Sequence, residues 1–163
     1  LDKVKDFIIQ RLRVYLNENQ RYDLVEAVLN NRDPLGDLND LTGRLEVLDT
    51  LVKEKDYNLF HESANRIVRI IKNQDTNEMP KTDLLTDESE KLLWDKAKNI
   101  DENSLSYNEL VKMLKDTIPF IERFFEDVLV MDENLAVRNN RINLLSALNR
   151  KFCRIADFSK IVT

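Results

Sequence analysis

Apolar residues recur every three or four positions along almost the whole of this chain, and very little interrupts them. Val4, Phe7, Ile8, Leu12 and Tyr15 stand at i, i+3, i+4, i+8 and i+11. Leu35, Leu38, Leu41, Leu45, Leu48 and Val52 keep the same step, as do Phe60, Ala64, Ile67, Val68 and Ile71. That period lines up side chains on one face of an α-helix; a strand would need a period of two. Two glycines and three prolines in 163 residues leave few places where a helix could break. The fold class that follows is all-α. No internal repeat and no long linker divides the chain, so residues 1–163 form one helical bundle of about eight helices.

Local signals place the helices. The first runs over residues 2–17 and carries Arg11 and Arg13 on the face opposite its apolar stripe. A second, over residues 22–31, ends where Pro34 forces the preceding residue out of the helical region. The third covers residues 35–52 and is weakened by Gly36 and Gly43. The fourth covers residues 57–73, with Arg66, Arg69 and Lys72 three apart beside its apolar face. A polar stretch, QDTNEMPKTD, follows as a loop over residues 74–83. Asp87 with Glu90 and Ser106 with Glu109 have the spacing of capping boxes and open helices five and six. Pro119 suits the first turn of a seventh helix. Asp132 suits the N-cap of an eighth, whose buried seam is Leu135, Ile142, Leu145, Leu148 and Phe152.

Composition narrows the chemistry. At 34% charged and 42% hydrophobic residues the chain is neither disordered nor a membrane protein, and no apolar run approaches the roughly 20 residues of a membrane span. A signal-peptide pattern is absent, and the single cysteine, Cys153, suits a reducing cytoplasm and a small core side chain. The first residue is Leu, so the expectation is a segment of a longer protein. His61, the only histidine, reads as a solvent-facing helical residue, and the carboxylate pairs read as helix caps. With no glycine-rich phosphate loop and no acid–base pair, the segment has no catalytic residue and no metal ligand set. Its net charge of −5 argues against a surface that coats nucleic acid generally, but not against a local basic stripe.

One such stripe stands out in the last helix, where Arg138, Asn139, Asn140, Arg141 and Arg150 accompany an apolar seam that does not need them. Arg138 and Arg141 are three apart and share a side. Planar donors on a rigid element suit phosphates and base edges. In front of them lies the apolar run Phe124-Phe125…Val128-Leu129-Val130-Met131, which reads as core filling ahead of a base-stacking platform.

The same region carries a resemblance. Phe124, Phe125, Glu126, Val128, Val130 and Met131, then Arg138, Asn140, Arg141, Ile142, Leu144 and Leu145, then Phe152, Arg154, Ile155, Ala156 and Asp157 follow one another as in the C-terminal end of the bacterial glycyl-tRNA synthetase β subunit. More thinly, Phe7, Arg11 and Arg13 match its opening helix, and Asp23, Ala27, Val28 and Leu29 a following segment, so the likeness runs from Val4 to Ile161. That family ends in an all-helical anticodon-binding domain of the DALR type. The resemblance implies a module that recognises tRNA(Gly), whose anticodons end in two cytosines, through Arg138, Asn140, Arg141, Arg66, Arg69 and Arg11. Arg138 would hold phosphate, and Arg141 a base or its sugar. Where the family shows Arg and Asn on the fourth helix, this chain has Ile67 and Ile70, and Arg69 supplies the charge one turn along. The resemblance further implies that glycine activation with ATP and magnesium occurs on the separate α subunit. This segment would reach that partner through the rest of the β subunit and be non-catalytic itself. The alternatives are a helical protein-interaction scaffold without RNA contact, and the related domain of an arginyl-tRNA synthetase.

Overall fold

Helix starts are the most local feature of the chain. In the computed structural model, which describes residues 1–163, both expected capping boxes form. The Asp87 side chain accepts from the Ser89 N–H at 2.8 Å and Glu90 reaches back to the Asp87 N–H, opening α5 (Glu88–Ala97). Ser106 and Glu109 do the same for α6 (Tyr107–Asp127). The other helices are α1 (Asp2–Asn17), α2 (Tyr22–Leu29), α3 (Leu38–Leu51), α4 (Tyr57–Ile71) and α7 (Leu135–Cys153), with short 3-10 turns at Thr82–Leu84 and Phe158–Lys160 and no strand.

Seven helices stand where about eight were expected, because Pro119 lies inside α6 instead of opening a new helix. A proline there removes one backbone bond and crowds the carbonyl four residues back. The buried seam, however, passes it without losing phase: Leu110, Leu114, Thr117, Ile118, Ile121 and Phe124 all face inward, while Pro119 sits on the exposed side. Packing of that seam against α5 and α4 holds the helix together across the break. Two starts also shift. Asp33, Pro34 and Gly36 form a turn, so α3 begins after Asp37, whose side chain accepts from the Asp40 N–H. The N-cap of α7 is Asn134, not Asp132: its Oδ1 accepts from Ala136 and Val137.

At the centre of the bundle, α7 meets α4, α5, α6 and the first 3-10 turn. Every residue from Asn140 to Leu148 is buried, the signature of a helix enclosed all round. Leu145, Leu148 and Phe152 are in the core as the seam implies, but Leu135 is 59% exposed, because the first turn of α7 projects beyond its neighbours. The orphan carbonyls at the other end of α7 are met by cationic and amide groups, the partners a helix C-terminus favours. Arg44, 1% exposed, donates to the Ile155 carbonyl, Arg32 to that of Arg154 and Asn31 to that of Cys153.

His61 is buried, contrary to its solvent-facing reading. Its Nε2–H faces the carbonyls of Phe158 and Ile161 at 3.1 and 2.9 Å, tying the C-terminal tail to α4. Phe60, Phe152 and Phe158 form an edge-to-face aromatic cluster beneath it, with centroids 5.2 to 6.3 Å apart. The apolar stripe of α1 has no such cover. Only Leu16 is buried, whereas Val4, Phe7, Ile8 and Tyr15 face solvent, since α1 lies mainly against the short α2.

Candidate nucleic-acid interface

The Arg-Asn-Asn-Arg cluster of α7 turns out to be internal. Arg141 is buried, and four of its five guanidinium N–H groups have partners. Nε pairs with Glu90, which is wholly buried, Nη1 donates to the Leu129 carbonyl at 2.7 Å and to Asp132 at 3.2 Å, and Nη2 reaches the Thr86 hydroxyl. One Nη2–H remains without a partner, but the residue is only 7% exposed, so the geometry gives no support to the expected contact with a base or its sugar. Asn140, 2% exposed, is likewise occupied: its amide accepts from the Lys81 N–H at 2.7 Å and donates to the Lys81 carbonyl at 3.0 Å. The physical reason is shared. The segment after α4 has no regular structure to pair its backbone, and buried peptide groups must find partners. Asn140, Ser146 and Arg150 supply them, the last two at Thr76, while Asn143 accepts from the Thr76 hydroxyl at 2.7 Å.

Arg11, Arg66, Arg69 and Arg138 enter none of the ion pairs and hydrogen bonds that engage the other arginines. They are not brought together. Arg11 is exposed on α1, away from α4, and Arg138 is half-buried in the second turn of α7. Arg66 and Arg69, in contrast, line one cleft of about 510 Å³ with Lys72. All three are exposed: Arg66 and Arg69 lie on α4 just outside the seam of Phe60, Ala64, Ile67 and Ile71, and Lys72 is the residue that caps the helix.

The opposite wall of the cleft is apolar. Phe125, Val128, Leu129, Val130 and Met131 come from the end of α6 and the extended link to α7. The guanidinium of Arg66 lies over the Phe125 ring, 4.2 Å from its centroid, within the range of a cation–π contact. Phe124, Val128 and Val130 are core side chains, as the sequence indicated; Leu129 and Met131 are exposed. On the other flank of α4 lies a more polar recess of about 520 Å³, lined by Asn58, Glu62, Asn65 and Ser159 among others, and Arg69 borders both hollows.

Lys72 and Leu129 were not singled out as site residues. Lys72 was legible as the third member of a three-residue spacing; the exposure of Leu129 was not legible at all, because it depends on how the link between α6 and α7 is anchored. Cys153 offers no reactive group here. Burial pushes its thiol up to about 11, with the negative charges of Asp157 and Asp75 adding to the effect, so it stays protonated near neutral pH. No helix is long and apolar enough to cross a membrane.

Comparison with known proteins places this geometry in a family. The DALR anticodon binding domain profile matches residues 59–155, which take in the cleft and all of α7. The chain is 33% identical to the glycine–tRNA ligase beta subunit of Gloeothece citriformis over 99% of its own length and 26% of that protein's. It is also 33% identical to the Aquifex aeolicus beta subunit, over 98% of its length and 23% of the relative's, and 31% identical to that of a Sulfurihydrogenibium species, over 99% and 24%. It thus spans about a quarter of the length of the curated relatives it matches.

Proposed function

The chain belongs to the DALR anticodon-binding domain family, and on that premise we propose that it docks the anticodon arm of a transfer RNA on the exposed side of α4. The observation that carries this reading is the row Arg66, Arg69 and Lys72, exposed cations with no carboxylate partner, inside the matched region and at the rim of a cleft. Phosphate contacts of this kind position an RNA and supply most of its salt-sensitive affinity. With an overall charge of −5, attraction for RNA depends on local groups of cations such as this one.

The named relatives point to tRNA(Gly) as the RNA and to a glycine–tRNA ligase as the working assembly, in the cytoplasm. In that assembly the α subunit activates glycine with ATP and magnesium. This domain is joined to it through the remainder of a β subunit, and it contributes affinity and register, not chemistry. Single-stranded loop bases can be read once they are unstacked.

A transfer RNA titration across a salt series tests the reading. Arg69→Ala and Lys72→Ala should each flatten the plot of log affinity against log salt by about one unit if each head neutralises a phosphate. Parent-like slopes for both variants would remove the RNA from this side of α4.

A further inference from the structure

Helix α1 has two apolar faces, and only one of them is covered. Leu12 and Leu16 pack on the core, and Arg13 between them pairs with Glu26 of α2. Val4, Phe7, Ile8, Val14 and Tyr15 form a second stripe, 44% to 66% exposed. With Arg11 they stand at i, i+3, i+4, i+7, i+10 and i+11, the step that aligns side chains on one side of a helix. Arg11, exposed and unpaired, sits in the middle of that line. Contiguous apolar patches of this kind mark contact surfaces. A phosphate backbone would be met by several cations, and the stripe holds one.

We infer that this side of α1 is a domain interface, on which another part of a β subunit packs. The inference rests on the β-subunit reading of the chain and is independent of RNA docking on α4. Two observations point to that occupant. The DALR profile begins at residue 59, yet the likeness to the β subunits takes in 98% or more of the chain, α1 included. The relatives are about four times as long, so most of such a subunit lies outside this chain. Size argues against a second copy. The stripe offers on the order of 500 Å², short of the roughly 800 Å² that each partner buries in a stable complex. A tethered domain manages with less, because the linkage keeps its effective concentration high. The stripe also sets the chemistry of its partner. That surface is apolar and carries a carboxylate opposite Arg11, since a cation taken out of water must be paired.

The test follows maleimide labelling of Val4→Cys, Val14→Cys and, as a control in the loop after α4, Met79→Cys, each read at its own site by mass spectrometry. All three positions are exposed, so all three should react fast in the 163-residue chain. In a full-length β subunit the first two should slow by about tenfold or more, with Met79→Cys unchanged. Arg11→Glu in that subunit should return them to the fast rate, because it sets two carboxylates face to face; Arg11→Lys should not. Equal rates in chain and subunit would overturn the interface. Protection that appears only on adding the α subunit, or that rises with the concentration of the 163-residue chain, would overturn the occupant assigned here. Full protection in the Arg11→Glu subunit would overturn the opposing carboxylate. Arg69→Ala and Lys72→Ala in the same subunit keep the two readings apart. Flattened RNA salt slopes with unprotected cysteines would overturn the interface alone, and parent-like slopes with protected cysteines would overturn RNA docking alone.

Discussion

Helices α4 and α7 carry the same kind of side chains to opposite ends. On α7, two arginines and two asparagines interrupt an apolar seam; on α4, Arg66, Arg69 and Lys72 run beside one, and by sequence both helices offer a binding face. The structure separates them. α7 is enclosed by other elements, so its polar groups had to be satisfied internally, and they became the fasteners of the segments around it. α4 has one side in water, and its cations were left unpaired beside a cleft. A polar cluster on a helix therefore marks a site only when that side of the helix stays exposed. The hydrophobic period alone does not say how many sides are covered.

The sharpest way to break this comparison is Arg141→Ala. It leaves Glu90 fully buried without its cation, and loss of one partner of a buried pair costs about 3–5 kcal/mol. Chemical denaturation should show a fall of that order. If the fall is below about 1 kcal/mol and RNA affinity drops instead, α7 was the binding element after all. Leu145→Ala should cost roughly 2–5 kcal/mol by cavity formation at a fully buried position. Leu135→Ala, ten residues earlier on the same helix and exposed, should stay within about 0.5 kcal/mol. The pair tests which face of α7 is inside.

Asn140→Ala should be milder, about 1–3 kcal/mol, because it strips both hydrogen bonds from the Lys81 peptide. The melting temperature should drop while the RNA salt slope keeps its parent value. Arg69→Ala with Lys72→Ala, at exposed positions with no side-chain partner, should show the mirror image: stability within about 0.5 kcal/mol of the parent and a clear loss of RNA affinity.

Acid titration probes the fasteners elsewhere in the bundle. Burial would raise the Asp23 carboxyl, but the Arg21 guanidinium and the backbone N–H groups of Val162 and Leu24 outweigh it and hold it below the ordinary carboxylate value. Asp40 is held low against its own burial by the Tyr107 hydroxyl and by Arg44 and Arg32. A folded-state value below the unfolded one means that the unfolded chain takes up protons first. The stability these groups contribute is therefore complete above the ordinary carboxylate range and is lost as pH falls through about 4 and below. Asp23→Asn should flatten that acid limb and loosen the C-terminal tail, whose Val162 N–H it accepts at 2.9 Å. A parent-like acid limb in that variant would show that Asp23 is not one of the fasteners.

Much of this molecule was legible one residue at a time. Capping boxes at Asp87 and Ser106, the helical step of the apolar residues and the scarcity of glycine and proline are local properties, and each acts through neighbours within about one turn. They determined the all-α class, the positions of most helices and the seam through Leu145, Leu148 and Phe152. The resemblance identified the family for the same reason, since it rests on the order of residues. Everything that depends on which surfaces meet lay beyond reach. Whether Pro119 ends a helix depends on the packing that holds α6 across it, and whether His61 sees water depends on a tail one hundred residues away. Whether Arg141 or Arg69 is free to bind depends on the carboxylates and carbonyls that other elements bring within 3 Å or so. Ion pairs and hydrogen bonds fall off over such short distances that only the tertiary structure can assign them.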